Sequence, residues 1–379
     1  MSEKLRMGMV GGGPGAFIGP VHKMAAELDG KIDLVAGAFS QSAERSRAAG
    51  VSFGIDPARA YASYKEMLEV EGKREDGIDF VVIATPNYLH LPVAEAALAA
   101  GIAVMSDKPA TATYDEALKL EAAVAKAGLP YGLTHTYAGY SLVRDARALC
   151  AAGTLGAIRK VAVEYLQGWL SQPLERTGQK QAAWRSDPAL NGPGGCIGDI
   201  GTHAFHLVEY VTGLKVTSIN AALRTVVPGR KLDDDCNALL RLEGGASGTL
   251  MASQVAAGER NGLRLRVYGE KGSIEWHQED PNRLSVKWLD GPEEIHHAAG
   301  GYLSPDALAV TRLPGGHPEG YIEAFAVLYR EFAEGLLAWR ADHTHALPPT
   351  LPGIQAGVRG MRFIERAIAS SRAESWVEF

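Results

Sequence analysis

The chain reads as an α/β protein in two parts: an N-terminal doubly wound parallel sheet, then an α+β domain with a large, mainly antiparallel open sheet. Three observations predict this. Over the first third, short valine- and isoleucine-rich runs alternate with helical stretches. A glycine-rich loop joins the first run to the first helical stretch. Beyond Tyr140 the alternation stops, and strands follow one another through glycine turns.

The parallel part is expected from "LRMGMV" ending at Val10, "IDLVAGAF" ending at Phe39, "IDFVVIAT" ending at Thr85, "IAVMSD" ending at Asp107 and "LPYGLTH" ending at His135. Segments between them, such as "PVHKMAAELDG" and "PVAEAALAAG", carry helical periodicity and stop at glycine. Strands separated by single helices pair in parallel through right-handed crossovers. A helix over 140–151 and a strand near 158–165 open the second part. "CIGDIGTHAFHLVEYVTG", residues 196–213, reads as one helix with Asp199, His203 and His206 at spacings that share a face. "SINAALRTV", "CNALLRLEGGASGTLMAS" and "LRLRVYGEKGSIEWH" then read as strands, their "GG" and "EKG" turns fitting antiparallel hairpins. Helices near 321–339 and 355–371 close the chain. At 379 residues two domains are expected, 1–137 and 138–379.

A 46% apolar and 22% charged composition is that of an ordinary soluble globular protein. The net charge of -6 argues against a nucleic-acid or anionic-membrane partner, since both call for a basic face. No apolar run reaches the length of a membrane span. Cys150, Cys196 and Cys236 lie far apart and match no zinc spacing, and no metal is expected. With an N-terminus that runs straight into a strand, they point to a reduced, cytoplasmic location.

The loop "MVGGGPGAFIGPVH", residues 9–22, sits between first strand and first helix. There, glycines let the backbone approach a pyrophosphate and the helix start supplies free amides, so a Rossmann dinucleotide site is expected. Gly11 and Gly13 supply the first two glycines; for the third, Gly15 comes early and Gly19 three residues late. Gly15, Phe17 and Ile18 join the expected cofactor contacts. The second strand ends in "AGAFSQSAERS", where an acid would bind the adenosine ribose, yet Phe39, Ser40 and Ser42 stand there. Ser40 and Arg45 are the candidates at that end. Arg45 could meet a 2′-phosphate or be a solvated helix arginine, so NAD is expected and NADP stays open.

"ATPNYLHLPVAEAALAAGIAVMSDKPAT", residues 84–111, and "AWRSDPALNGPGGCIGDIGTHAFHLVEYVTG" complete a pattern. Together with the glycine loop they resemble the glucose–fructose oxidoreductase / inositol dehydrogenase (Gfo/Idh/MocA) family over nearly the whole chain. The family's T-P-N-x-x-H, E-K-P and D-x-G-x-H segments stand in order, with Asp107 in place of the glutamate before Lys108 and Pro109. The glycine loop and "GGHPEGYIEAFAVLY" resemble a carbohydrate-oxidising, levoglucosan-dehydrogenase-like branch. The resemblance implies a homodimer or homotetramer through the second domain's sheet. Its substrates would be free sugars, glycosides, inositols or amino-sugar nucleotides. It puts Lys108, Asp199 and His203 at the active site. Thr85, Pro86, Asn87, His90, Asp107, Lys108, Trp184 and Arg185 are expected on the cofactor, and Tyr137, Gln167, Trp169 and His317 on the substrate side.

The chemistry agrees. Taking hydride from a carbinol carbon needs a base near neutrality for the hydroxyl proton, and histidine is the natural one. An ammonium stabilises the developing alkoxide. The expected reaction is oxidation of a secondary hydroxyl of a sugar, anhydrosugar or polyol, at C3 of a pyranose, with His203 as base. Three rival readings stand beside it: redox-assisted cleavage of a glycosidic bond, a metal-dependent lyase or hydrolase using Asp199, His203 and His206, and a non-catalytic cofactor-binding regulator. The metal reading leaves the glycine loop and Lys108 unexplained.

Overall fold

The computed structural model describes residues 4–13 and 15–379. Met1–His135 and Phe325–Val358 form one compact unit; Thr136–Ala324 and Arg359–Phe379 form another. Residues 325–358 therefore belong with the N-terminal part, whereas the expected division put them with the second. Burial explains the difference. The Phe332 ring packs 5.1 Å from Phe80, Arg340 pairs with Asp79 at 2.7 Å, and Pro352 O accepts from Leu133 N at 2.8 Å.

The first unit is built on five parallel strands, β1 (Leu5–Gly11), β2 (Ile32–Ala38), β3 (Phe80–Ala84), β4 (Ala103–Ser106) and β5 (Tyr131–Leu133), in the order β2-β1-β3-β4-β5. Helices α1 (Ile18–Glu27), α2 (Ala43–Phe53), α3 (Tyr64–Glu71), α4 (His90–Ala99) and α5 (Tyr114–Ala127) alternate with them. Every residue of β3 is buried, as a central parallel strand requires. The strand order reverses between β1 and β3, which sets the carboxyl ends of these two strands side by side. In open α/β sheets that is where ligands bind.

The second unit holds a nine-stranded sheet. Its strands are β6 (Ile158–Leu166), β7 (Val216–Arg224), β8 (Asp235–Leu242), β9 (Ser247–Ser253), β10 (Gly262–Gly269), β11 (Gly272–His277), β12 (Arg283–Trp288), β13 (Glu293–His297) and β14 (Val377–Glu378). They run β13-β12-β11-β10-β6-β9-β8-β7-β14, antiparallel except for the parallel pair β6–β9. One face is apolar: Cys236, Ala238, Leu240 and Leu242 of β8 point inward while Asn237, Leu239 and Arg241 are exposed. Helices α6 (Ser141–Ala151), α7 (Lys180–Arg185), α8 (Pro188–Asn191), α9 (Thr202–Thr212) and α10 (Pro305–Ala309) belong to this unit. Of these, α9 packs on β6, β9 and β10. Two long helices, α11 (Tyr321–Ala341) and α12 (Ile354–Ala373), cross the boundary between the units in sequence.

The segment expected as one helix over 196–213 is helical without a break from 196 to 212, but its first turn is wide. Ile197–Gly201 forms a π-helical turn, and α9 begins only at Thr202. Asp199 lies inside the wide turn rather than at a cap, and α9 has no side-chain cap of its own.

Candidate active site

In the first unit the glycine loop forms a cradle that only bare backbone fits. A Cβ on Gly11 would stand 2.4 Å from the Ala84 carbonyl oxygen, and one on Gly13 would stand 2.4 Å from that of Phe39. Helix α1 opens at Ile18 with no side-chain cap and no acid in its first turn. Its amides and positive dipole end are thus left for an anion, which fits a dinucleotide pyrophosphate. The third glycine is Gly19, whose Cβ would meet Gly12 O at 2.0 Å, so here α1 touches the loop. Gly15, expected on the cofactor, is an exposed turn residue with φ 79°. Phe17 is exposed and Ile18 half-buried. At the end of β2, Phe39 is buried 5.0 Å from the Phe53 ring, Ser40 Oγ accepts from Ser42 N at 3.2 Å, and Arg45 is exposed on α2.

Beyond β3, Thr85 and Pro86 are half-buried and Asn87 is buried. The buried His90 ring places Nδ1 2.7 Å from Pro109 O and Nε2 2.9 Å from Thr85 O. Both ring nitrogens of this residue, expected beside a nicotinamide, face backbone carbonyls. Burial lowers its pKa, and the Thr85 carbonyl works against that shift. Asp107 is likewise turned to the backbone: its Oδ1 accepts from Lys108 N at 2.9 Å and from Thr134 Oγ1 at 2.7 Å. Lys108, half-buried, is therefore held on one side by Asp107 and on the other, through Pro109, by His90.

The second unit gathers most of the substrate-side candidates. Asp199 Oδ2 accepts from Gln254 Nε2 at 2.8 Å and pairs with Arg185 Nε at 3.3 Å. The Arg185 guanidinium lies over the Trp184 ring, 4.3 Å from its centroid. His203 meets Tyr137 edge-on at 4.8 Å and leans towards Tyr165 at 6.2 Å. The Tyr137 and Tyr165 hydroxyls touch. Tyr165 donates to Asn261 Oδ1 at 2.7 Å, Gln167 Nε2 donates to the same oxygen at 2.8 Å, and Trp169 Nε1 donates to Gln167 Oε1 at 3.0 Å. Burial holds both phenols above their ordinary range, so they are neutral donors and acceptors.

His317 differs: it is exposed, with Nδ1 3.1 Å from Pro314 O. His206 is buried against Tyr210 at 5.4 Å, and burial pushes it down to about 3. Among the described residues no group of three His, Cys, Asp or Glu is placed to hold a metal, and no helix is long and apolar enough to cross a membrane.

Gln254, Asn261 and Asp233 were missed by sequence reasoning. The Asp233 carboxylate accepts from Gly195 N at 2.6 Å and Ile197 N at 2.7 Å, at the start of the π-turn. A signal existed: "LDDDC" and "ASQVA" put polar residues at the ends of otherwise apolar strands.

A glycine cradle under an uncapped helix, on a parallel sheet followed by a mainly antiparallel one, defines an NAD-binding oxidoreductase. The family model described as "Oxidoreductase family, NAD-binding Rossmann fold" matches residues 5–135, and "GFO/IDH/MocA C-terminal domain" matches residues 143–275. The chain belongs to the Gfo/Idh/MocA oxidoreductase family. It is 35% identical to the uncharacterized oxidoreductase YfiI of Bacillus subtilis (strain 168), over 100% of this chain and 98% of that protein. It is 25% identical to the levoglucosan dehydrogenase of Pseudarthrobacter phenanthrenivorans, over 99% and 98%. An inositol dehydrogenase homologue from Azotobacter vinelandii, solved with NAD+, is 37% identical, with TM-score 0.95 over 100% of this chain and 98% of that one. The same homologue with NADH and myo-inositol gives 0.93, at the same identity and coverage.

Proposed function

We propose that the protein is an NAD-dependent dehydrogenase that oxidises a secondary ring hydroxyl of a sugar, anhydrosugar or cyclic polyol to a ketone, at C3 when the ring is a pyranose. The observation that carries this reading is a carboxylate hydrogen-bonded by Gln254 and ion-paired with Arg185, four residues before a histidine walled by Tyr137. A fixed carboxylate and an imidazole in that relation suit two neighbouring hydroxyls of one ring. Gly11, Gly13 and the start of α1 hold the pyrophosphate, while Thr85, Asn87 and Lys108 face the nicotinamide. Bound NAD+ supplies the hydride acceptor. His203 takes the proton of the reacting hydroxyl, Lys108 stabilises the negative charge that grows on its oxygen, and Asp199 accepts from the adjacent hydroxyl. Tyr137 and Gln167 line the substrate side, and the aromatic edge suits an apolar C–H face.

The test is a dehydrogenase screen with NAD+ and NADP+ against myo-inositol, levoglucosan, D-xylose and free hexoses, read by reduced-nicotinamide absorbance. Turnover with at least one ring polyol, and with NAD+ ahead of NADP+, is expected. Calorimetry showing no affinity for either nucleotide would sink the proposal.

Copies of the chain associate through the outer face of the second sheet in this reading. Leu239 (51% exposed) and Met251 (38%) stand there around a hollow shared with Asn220, Ala222, Asn237 and Thr249. A second copy seated on this face would cover both apolar side chains.

A further inference from the structure

The start of the helix that carries Asp199 and His203 is not capped by its own sequence. The donors and acceptors that fix it come from the sheet. Strands β8 and β9 pair antiparallel with Asp235 opposite Ser253, so the residues just outside that pair, Asp233 and Gln254, emerge at one end of the sheet. Asp233 presents both carboxylate oxygens to Gly195 N and Ile197 N, and its carbonyl to Cys196 N at 2.8 Å. Gln254, 3% exposed, is itself pinned by its backbone: its N donates to Asp234 O at 2.9 Å and its O accepts from Leu170 N at 3.1 Å. Its amide then reaches Asp199 Oδ2.

We infer that Gln254 is a positioning residue for Asp199, and that Gln254 and Asp233 together transmit the rigid end of the β8–β9 pair to the helix start. This rests on the role given to Asp199 above. The physical reason is that a carboxylate alone in a wide π-turn has rotational freedom, and catalysis punishes small misplacements severely. Arg185 supplies charge from a short helix, whereas Gln254 supplies direction from the sheet.

A donor on a carboxylate favours its charged form, so removing Gln254 has a signature that loosened packing does not. Other groups that face Asp199 include Arg185 on α7, Tyr137, Tyr165 on β6, and Cys196. All are retained in the test.

Gln254→Met keeps the length and removes the donor. In full-length protein with 13C-labelled aspartate carboxyls, Asp199 is assigned by its loss in Asp199→Asn and titrated by NMR. Gln254→Met is expected to raise the Asp199 midpoint by about one pH unit. It is expected to lower turnover roughly 10-fold on whichever of myo-inositol or levoglucosan is oxidised, with NAD+ affinity unchanged. Asp233→Asn, which turns one acceptor into a donor, is expected to displace the Asp199 resonance. A midpoint that stays put in Gln254→Met overturns the inference, whether or not Asp233→Asn folds. Full turnover in Asp199→Asn would overturn the reading beneath it, and is told apart because the midpoint has still moved.

Discussion

Lys108 owes its place to two neighbours. Asp107 fixes its backbone amide, and His90 fixes the carbonyl of the next residue. Two substitutions separate the chemical role from the mechanical one. Lys108→Ala and His203→Ala are each expected to cut turnover on the order of 10²-fold or more, through loss of the charge that steadies the growing alkoxide and of the base respectively. Their thermal midpoints should stay near that of the parent. His90→Ala is expected to lower turnover by loosening the Lys108 loop, and His90→Gln, whose amide N–H can still reach Thr85 O, to recover part of it. Equal activity of the two His90 variants, measured under saturating NAD+, would refute the tether. The place of Lys108 just past a buried strand was legible in the sequence from "SDKPAT". The tether of His90 was not legible, because its partners, Thr85 O and Pro109 O, are backbone atoms, which a sequence motif does not spell.

At the scale of elements, what repeats with a period was readable and what depends on a single insertion was not. Strands β1 to β5 follow from apolar runs between helices, and β8 to β11 from alternation across glycine turns. The edge strand β13, "EEIHH", has no apolar run to show, and β14 is two residues long. The π-turn at Ile197–Gly201 escaped for another reason: one extra residue in a turn leaves the residue types unchanged and alters only their angular spacing. The late third glycine belongs here too. A longer loop moves the close contact of α1 to Gly19, three residues beyond where G-x-G-x-x-G would set its third glycine. Gly19→Ala is therefore expected to abolish NADH binding and destabilise the first unit, because its Cβ would overlap Gly12 O at 2.0 Å. Gly360→Ala makes the opposite case. Inside α12, with nothing within 4 Å of the new Cβ, it should stabilise the protein by up to about 1 kcal/mol, read as a higher urea midpoint.

For the whole molecule, buried ionisable groups set how acid is tolerated, and their signs differ from group to group. Burial holds His22 of the first unit at about 4 and His206 of the second at about 3, both below the ordinary histidine value. As pH falls from 7 to 5 the unfolded chain takes up protons at these positions and the native one does not. Each site then costs about 2 kcal/mol of stability. Asp233 runs the other way. Burial raises it to about 6, so its native form binds a proton before the unfolded form does, returning about 1 kcal/mol to the second unit over the same range. The Asp233 carboxylate is also the cap of the π-turn, so the second unit gains stability from a protonation that loosens its proposed active site. Stability and turnover should then part company between pH 7 and 5, with activity falling faster than unfolding explains. His206→Phe is expected to remove about 2 kcal/mol of acid sensitivity from the second unit's unfolding, measured by denaturant titration at both pH values. Leu239→Asp, on the outer sheet face, supplies the matching control for association: light scattering should show smaller particles at unchanged acid sensitivity. If His206→Phe tracks the parent at both pH values, the imidazole is not neutral in the fold, and burial is the wrong account of it.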